Sequence, residues 1–249
     1  LERTWVLGLP LDVLDCGGLL RAVSNLVEKK EGGQVAYLNV HVANVAATDE
    51  RLADLLADCD IVYCDGDGIR RAARWLGSEV PERMTGADWI WDLAALAEAQ
   101  AWSLFWLGGQ PGVAEAAAQA LRARHPALQI QTDHGFHPPE EMPAVVARIQ
   151  AARPHLVLVG LGTPLQERWM QAHHAALAPA VVWCLGATAD FVSGNLSRGP
   201  AWLHARQEWL ARLVTEPGRL WRRYLLGNAR FGLRLLRAGR PGRNQDRVQ

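Results

Sequence analysis

Lysine is nearly absent from this chain. Only Lys29 and Lys30 occur in 249 residues, so almost all positive charge is guanidinium. Long apolar runs are also missing. The longest, at 156–161 and 178–185, fall far short of the ~20 residues a membrane-spanning helix needs. The first residues show no apolar stretch followed by a small-residue cleavage site, so no signal peptide is expected. Four cysteines, Cys16, Cys59, Cys64 and Cys184, are scattered without metal-type spacing. That excludes a disulfide scaffold and predicts reduced thiols in a cytoplasmic protein. Three motifs are absent as well: the Gly-x-Ser-x-Gly of hydrolases, the phosphate-loop Gly-Lys-Ser/Thr, and the dinucleotide Gly-x-Gly-x-x-Gly. His134 and His137 lack an evident third ligand, and His173 and His174 are adjacent, as on a solvated helix face.

What is present is divided by charge. From residue 198 onward there are twelve Arg and three acids, a net +9; residues 1–197 carry −9, and the two cancel. An acidic body with a basic, Trp-bearing tail predicts an anionic partner: a membrane surface, a lipid diphosphate or nucleic acid. Placed on a helix at roughly 100° per residue, Arg219, Arg222, Arg223, Arg230, Arg234 and Arg237 share an arc of about 120°. Trp221, Tyr224, Leu225, Phe231, Leu235 and Leu236 lie opposite, with Leu226 and Leu233 breaking the pattern. Such an amphipathic basic helix suits an anionic bilayer, or packs its apolar side on the body or on a second subunit.

The body reads as alternating β and α. Nearly continuous apolar runs at 35–39, 61–64, 103–107, 128–132, 156–160 and 181–185 predict strands covered on both faces. Helices are predicted near 41–57, 67–77, 86–99, 112–124, 139–152 and 164–177, and a strand or hairpin within 5–15. The fold class is therefore α/β, Rossmann-like, with a largely parallel sheet. The expected organisation is a catalytic domain over 1–194 and an Arg/Trp-rich appendage over 195–249.

Sheets of this kind bind ligands at the carboxyl ends of their strands. Here those ends carry Asp65-Gly66-Asp67-Gly68, Gly108-Gly109, Asp133-His134-Gly135, Gly160-Leu161-Gly162, and Gly186 followed by Asp190. Glycine lets backbone amides approach a phosphate closely. Asp65 fits a general base, or an Asp-x-Asp metal site with Asp67; Asp67 also fits an N-cap for a helix beginning at Gly68. Arg83 fits a phosphate clamp. Gln166 and Glu167, in the first turn of a helix, fit a pocket wall.

Several motifs run in order along residues 5–231. They include Asn39, Asp65-Gly66-x-Gly68, Glu82-Arg83-x-Thr85-Gly86-Ala87-Asp88, Gly108-Gly109-x-Pro111-Gly112 and His134-Gly135-Phe136. Further on stand Gly160-Leu161-Gly162-x-Pro164-x-Gln166-Glu167, Asp190-Phe191-x-x-Gly194, Arg198-x-Pro200, and a run from Glu208-Trp209 to Arg222-Arg223-Tyr224. With these the chain resembles the TagA/WecG/CpsF bacterial glycosyltransferases. The resemblance implies inverting, metal-independent transfer from a UDP-sugar to the 4-hydroxyl of a polyprenyl-diphosphate-linked sugar, with no cofactor. It implies Asp65 as the base, Arg83 and Gln166 at the donor, Asn39 positioning substrate, and Arg212, Arg219 and Arg222 at lipid diphosphate. The implied setting is the inner face of the plasma membrane, with a homo-oligomer possible in solution and no nucleic acid. Departures from the family pattern include Tyr37 where Thr is usual, Leu165 where Lys is usual, and Ala187-Thr188-Ala189 ahead of Asp190. A bulky Tyr37 near the sugar widens the expected donor from N-acetylmannosamine to related hexoses such as glucose or glucuronic acid. The rival classes are an NAD-type oxidoreductase, which lacks its fingerprint loop here, and a nucleic-acid-binding protein using the Arg tail.

Overall fold

The computed structural model describes residues 1–195 and 225–239. The motifs from Arg198 to Tyr224, with Arg212, Arg219 and Arg222, lie outside the described residues, as does most of the expected appendage.

A short antiparallel hairpin, β1 (Arg3–Val6) and β2 (Leu9–Asp12), opens the chain. It is anchored by a buried charge. Asp12 is 1% exposed and receives Arg3 Nε at 2.9 Å and the Val62 amide at 2.7 Å. Arg3 also donates to the Cys59 carbonyl at 3.0 Å, so both charges of this buried pair are satisfied.

Helix α1 (Cys16–Lys29), absent from the sequence expectations, follows. Its signals are present: Asp15 caps the Gly18 amide at 2.6 Å, and Leu19, Ala22, Val23 and Val27 line one face. The predicted helix at 41–57 is two helices, α2 (Val40–Ala46) and α3 (Glu50–Asp58). The chain breaks there because Asp49 is a second N-cap, its carboxylate accepting from Leu52 N.

The main sheet holds β3 (Gly33–Leu38), β4 (Ile61–Cys64), β5 (Ser103–Gly108), β6 (Gln129–Asp133), β7 (Leu156–Gly160) and β8 (Val181–Cys184), in the order β4-β3-β8-β7-β5-β6. Every pairing is parallel. The α/β expectation holds, with each predicted strand in place. The flanking helices are α4 (Asp67–Trp75), α5 (Gly86–Ala99), α6 (Val113–Arg124), α7 (Met142–Ala152), α8 (Leu165–Leu177) and α9 (Thr188–Val192). The first move of the chain, β3 to β4, goes to one edge; β5 and β6 build the other; β7 and β8 then fill the middle. The carboxyl ends of β3 and β8 thereby lie side by side on one rim.

Beneath that rim lies an aromatic cluster. Trp89 and Trp183 stack at 4.2 Å, and Tyr63 meets both edge-on at about 6 Å. Rigid contacts of this kind fix the strand ends above them. A last helix, α10 (Gly227–Ala238), returns to the body and packs against α2. Asn44 donates to the Gly227 carbonyl at 2.9 Å, and Arg234 donates to the Ala43 carbonyl at 3.0 Å and to Asn44 Oδ1.

Candidate active site

The rim carries a cleft of about 2160 Å³, lined by the ends of β3, β4, β7 and β8, the loops after β5 and β6, and one face of α10. Drug-sized ligand pockets are roughly 300–1,000 Å³. This cleft is larger than that.

At its β4 end, Asn39 and Asp65 form one unit. Asn39 is the N-cap of α2 and its Oδ1 accepts the Val42 amide at 2.9 Å. That bond fixes the orientation of the amide, so Nδ2 faces Asp65 and donates to Oδ2 at 2.9 Å. Asp65 follows β4 directly, and its amide is tied to the Leu38 carbonyl at 2.9 Å. A carboxylate so placed can accept a proton from a substrate hydroxyl without searching for its geometry.

Asp67 does not cap α4. It is the first helical residue, Gly66 takes the cap position at φ 104°, and the Asp67 carboxylate pairs with Arg70 at 2.9 Å. A residue already within the helix cannot fold its side chain back onto the free amides from the cap position.

Arg83 lines the cleft from the loop before α5. The loop is pinned alongside β4 by Met84 N donating to the Cys64 carbonyl at 2.8 Å. The start of α5 packs so closely on α9 that a Cβ on Gly86 would meet Thr188 Oγ1 at 2.0 Å. Arg83 and the amino end of α5 thus present positive charge to one stretch of wall, suited to a diphosphate.

Tyr37, Asn39, Asp65, Arg83, Gly109, Gly135, Gly162 and Asp190 all reach the cleft. Gly108, Gln166 and Glu167 stand behind its wall. Gly108 pairs with Gly160 of β7, and a Cβ there would lie 2.5 Å from the Gly160 carbonyl oxygen. Gln166 is fully buried and spends its whole amide internally. Its Nε2 donates to Tyr37 Oη at 3.1 Å and to Glu167 Oε1 at 2.8 Å, and its Oε1 accepts from Gly186 N at 3.0 Å. Gln166 therefore holds Tyr37 and the Gly186 turn in place from behind.

Burial pushes the Glu167 carboxyl above its ordinary value, against the bonds from Gln166 and Thr163. Burial likewise drives the Tyr37 phenol well up, so it stays protonated. The Cys64 thiol, also buried, rises to about 12 and Cys16 to about 11. These thiols are not nucleophiles at neutral pH.

Sequence reasoning passed over Arg71, Trp75, Trp169 and His173, which line the same cleft. His173 is not on a solvated face: its ring lies 4.9 Å from that of Trp169. The i, i+4 spacing of these two residues was the available signal. From α10, Phe231 is buried and lines the cleft, while Leu233 and Leu236 are exposed. No helix among the described residues is long and apolar enough to cross a membrane.

Residues 4–245 match the model of the glycosyl transferase WecG/TagA/CpsF family. The chain belongs to this family. It is accordingly a transferase enzyme, and the cleft at the sheet rim is its candidate active site. Among curated proteins it is similar to N-acetylglucosaminyldiphosphoundecaprenol N-acetyl-beta-D-mannosaminyltransferase of Bacillus subtilis (strain 168). The two are 27% identical over 201 residues, covering 80% of this chain and 77% of the relative.

Proposed function

We propose that this glycosyltransferase moves a hexose from a UDP-sugar to a polyprenyl-diphosphate-linked saccharide during cell-envelope polymer synthesis. The observation that carries the reading is the Asn39–Asp65 pair, a strand-end carboxylate held by a helix cap at the wall of a large cleft. The acceptor class follows the activity by which the Bacillus relative is named, transfer to N-acetylglucosaminyldiphosphoundecaprenol.

In this reading the acceptor hydroxyl attacks the anomeric carbon of the donor from the face opposite the nucleotide. Asp65 takes the hydroxyl proton as the new C–O bond forms. The bond from the anomeric carbon to the diphosphate oxygen breaks, and UDP leaves with its electron pair. Negative charge grows on the diphosphate, where Arg83 and the amino end of α5 stabilise it. Asn39 engages Asp65 Oδ2 and so fixes how the carboxylate is presented to that hydroxyl. The glycine-bearing loops at Gly109, Gly135 and Gly162 let the nucleotide lie close to backbone. The transfer proceeds without a metal, since the proton goes to Asp65 and the leaving charge to Arg83.

Tyr37 narrows the donor side. Its ring is one wall of the cleft, and its hydroxyl is locked by Gln166 against the turn at Gly186. That bulk extends the candidate donors from N-acetylmannosamine to related hexoses such as glucose or glucuronic acid. The enzyme would work at the inner face of the plasma membrane, where such acceptors are anchored, with its Arg-rich tail as the membrane-facing part.

The test is acceptor-dependent UDP release across a panel of UDP-sugars, using a short polyprenyl-diphosphate-N-acetylglucosamine. One donor turned over only with acceptor present is the expected result. Turnover of UDP-N-acetylmannosamine alone would overturn the Tyr37 argument. No acceptor-dependent release from any donor would overturn the assignment of this substrate pair.

A further inference from the structure

The opposite edge of the sheet holds a second group of polar side chains. β6 ends at Asp133, and the loop that follows carries His134 and His137. One potential ligand atom from each of these three residues lies within 4.8 Å of the others. The two imidazoles stack with ring centres 3.9 Å apart. His137 Nε2 meets Asp133 Oδ1 at 2.8 Å, and its Nδ1 meets Glu141 Oε2 at 3.3 Å. Both Asp133 and His137 are mostly buried, with side chains 13% and 8% exposed.

We propose that Asp133, His134 and His137 bind one divalent transition-metal ion of the zinc class. Two imidazoles and one carboxylate are a borderline-soft donor set, which suits Zn²⁺, Co²⁺ or Ni²⁺ better than Mg²⁺ or Ca²⁺. In the ion-free state a proton bridges His137 Nε2 and Asp133; an ion takes that proton's place. Glu141 then receives the remaining His137 N–H, the carboxylate–histidine–metal arrangement that orients a ligand imidazole. His134 must exchange one bond, because its Nδ1 accepts the Phe136 amide at 3.2 Å. A tetrahedral zinc with bonds of about 2.0–2.2 Å sets ligands about 3.4 Å apart, so the two imidazoles must turn out of their stack for their nitrogens to converge on one ion.

Asp133 is prepared for this role. Arg148 bonds Oδ2, while Oδ1 accepts the His134 amide at 2.9 Å and faces His137 Nε2, the place an ion would take. The site is not the transfer centre. Asp65 follows the edge strand β4, five interstrand steps of about 4.8 Å away, or roughly 24 Å. The ion would instead tie down the loop from Gly135 to Pro138, which lines the cleft. It is a clamp on the cleft wall.

The test is titration of the untagged full chain with ZnCl₂ by calorimetry, with melting temperature read on the same samples. Wild type is compared with His134→Gln, His137→Gln and, as a control for other histidines, His173→Gln. The expected result is one zinc per chain and a rise in melting temperature. Affinity should fall at least about tenfold in the first two variants and stay unchanged in the third. Equal affinity in all four proteins would overturn the site, as would no saturable binding by wild type. Since glutamine keeps side-chain length and polarity, a shared melting temperature without zinc verifies that the variants fold.

Discussion

Asn39 joins the start of a helix to the candidate base: its carbonyl oxygen caps α2 at Val42, and its amide nitrogen donates to Asp65, both at 2.9 Å. One side chain thus does a stability task and a positioning task, and the two can be separated by substitution.

Asn39→Ser keeps a good helix cap and loses the donor to Asp65. Asn39→Ala loses both. We expect the alanine variant to be less stable by about 1 kcal/mol, and the serine variant to be near wild type. Both should lose activity, by about tenfold or more in kcat, because the carboxylate is no longer aimed. Denaturant unfolding and steady-state kinetics on the same preparations check this. A serine variant with wild-type kcat would show that the Asn39 amide does not position the base.

Tyr37 and Gly186 are coupled by contact. Gly186 sits at φ 61°, and a Cβ there would lie 2.6 Å from Tyr37 Oη. Gly186→Ala is expected to cost about 2–4 kcal/mol, from both the strained backbone and the clash. Tyr37→Phe alone should cost about 1 kcal/mol through the lost bond from Gln166. With the hydroxyl gone the alanine has room, so the double variant should be more stable than the sum predicts by about 1 kcal/mol. Chemical unfolding of the four proteins measures the coupling, and strict additivity would contradict the contact.

Glu167 gives the protein a pH dependence of known sign. Its folded carboxyl is raised above the ordinary 4.5 by burial, so the folded chain holds a proton that the unfolded chain has lost. Stability contributed by this group is therefore greatest at acid pH and declines as pH rises from about 4.5 through the folded value. Glu167→Gln keeps the acceptor used by Thr163 and Gln166 and removes the titration. Melting temperatures from about pH 5 to pH 8 should fall less steeply in the variant, which should also be the more stable protein at the upper end. Parallel curves would contradict a raised carboxyl.

Among the described residues, two side chains bond α10 to the end of α2. Asn44 holds Gly227, and Arg234 holds the end of α2. Arg234→Ala and Asn44→Ala should each speed amide exchange in α10 at least about tenfold while leaving α5 unchanged. Because Asn228 and Phe231 line the cleft, KM for one substrate should rise in the same variants. Unchanged exchange in α10 would show that its apolar contacts alone hold it.

The strands were legible because a parallel sheet covered on both faces writes itself as continuous apolar runs, such as Val157-Leu158-Val159. That Asp65, Gly109, Gly135 and Gly162 would share one rim was legible because they follow strand ends of one parallel sheet, and the structure brings them to one cleft. What escaped was local or three-dimensional. Helix α1 had its cap and apolar stripe, but two glycines just inside its start masked it. The break between α2 and α3 turned on one capping aspartate, Asp49. Gln166 read as a wall residue from its place at a helix start, and only its depth shows that it braces Tyr37. The third ligand beside His134 and His137 was adjacent in sequence, yet Asp133 read as part of a strand end. The tail beyond 195 was legible as charge and amphipathicity, and residues 196–224 lie outside what the structure describes.

The most direct test of the central claim is the chemical step in Asp65→Asn, measured by single-turnover transfer from the active UDP-sugar with and without EDTA. Asparagine keeps the size and can still bond to Asn39, but it cannot take a proton. The account predicts a loss of about 10²–10⁴-fold in rate, little change in UDP binding, and wild-type turnover that is indifferent to chelator. A variant that turns over within a few-fold of wild type, or a wild-type rate abolished by EDTA, would contradict Asp65 as the base of a metal-free transfer.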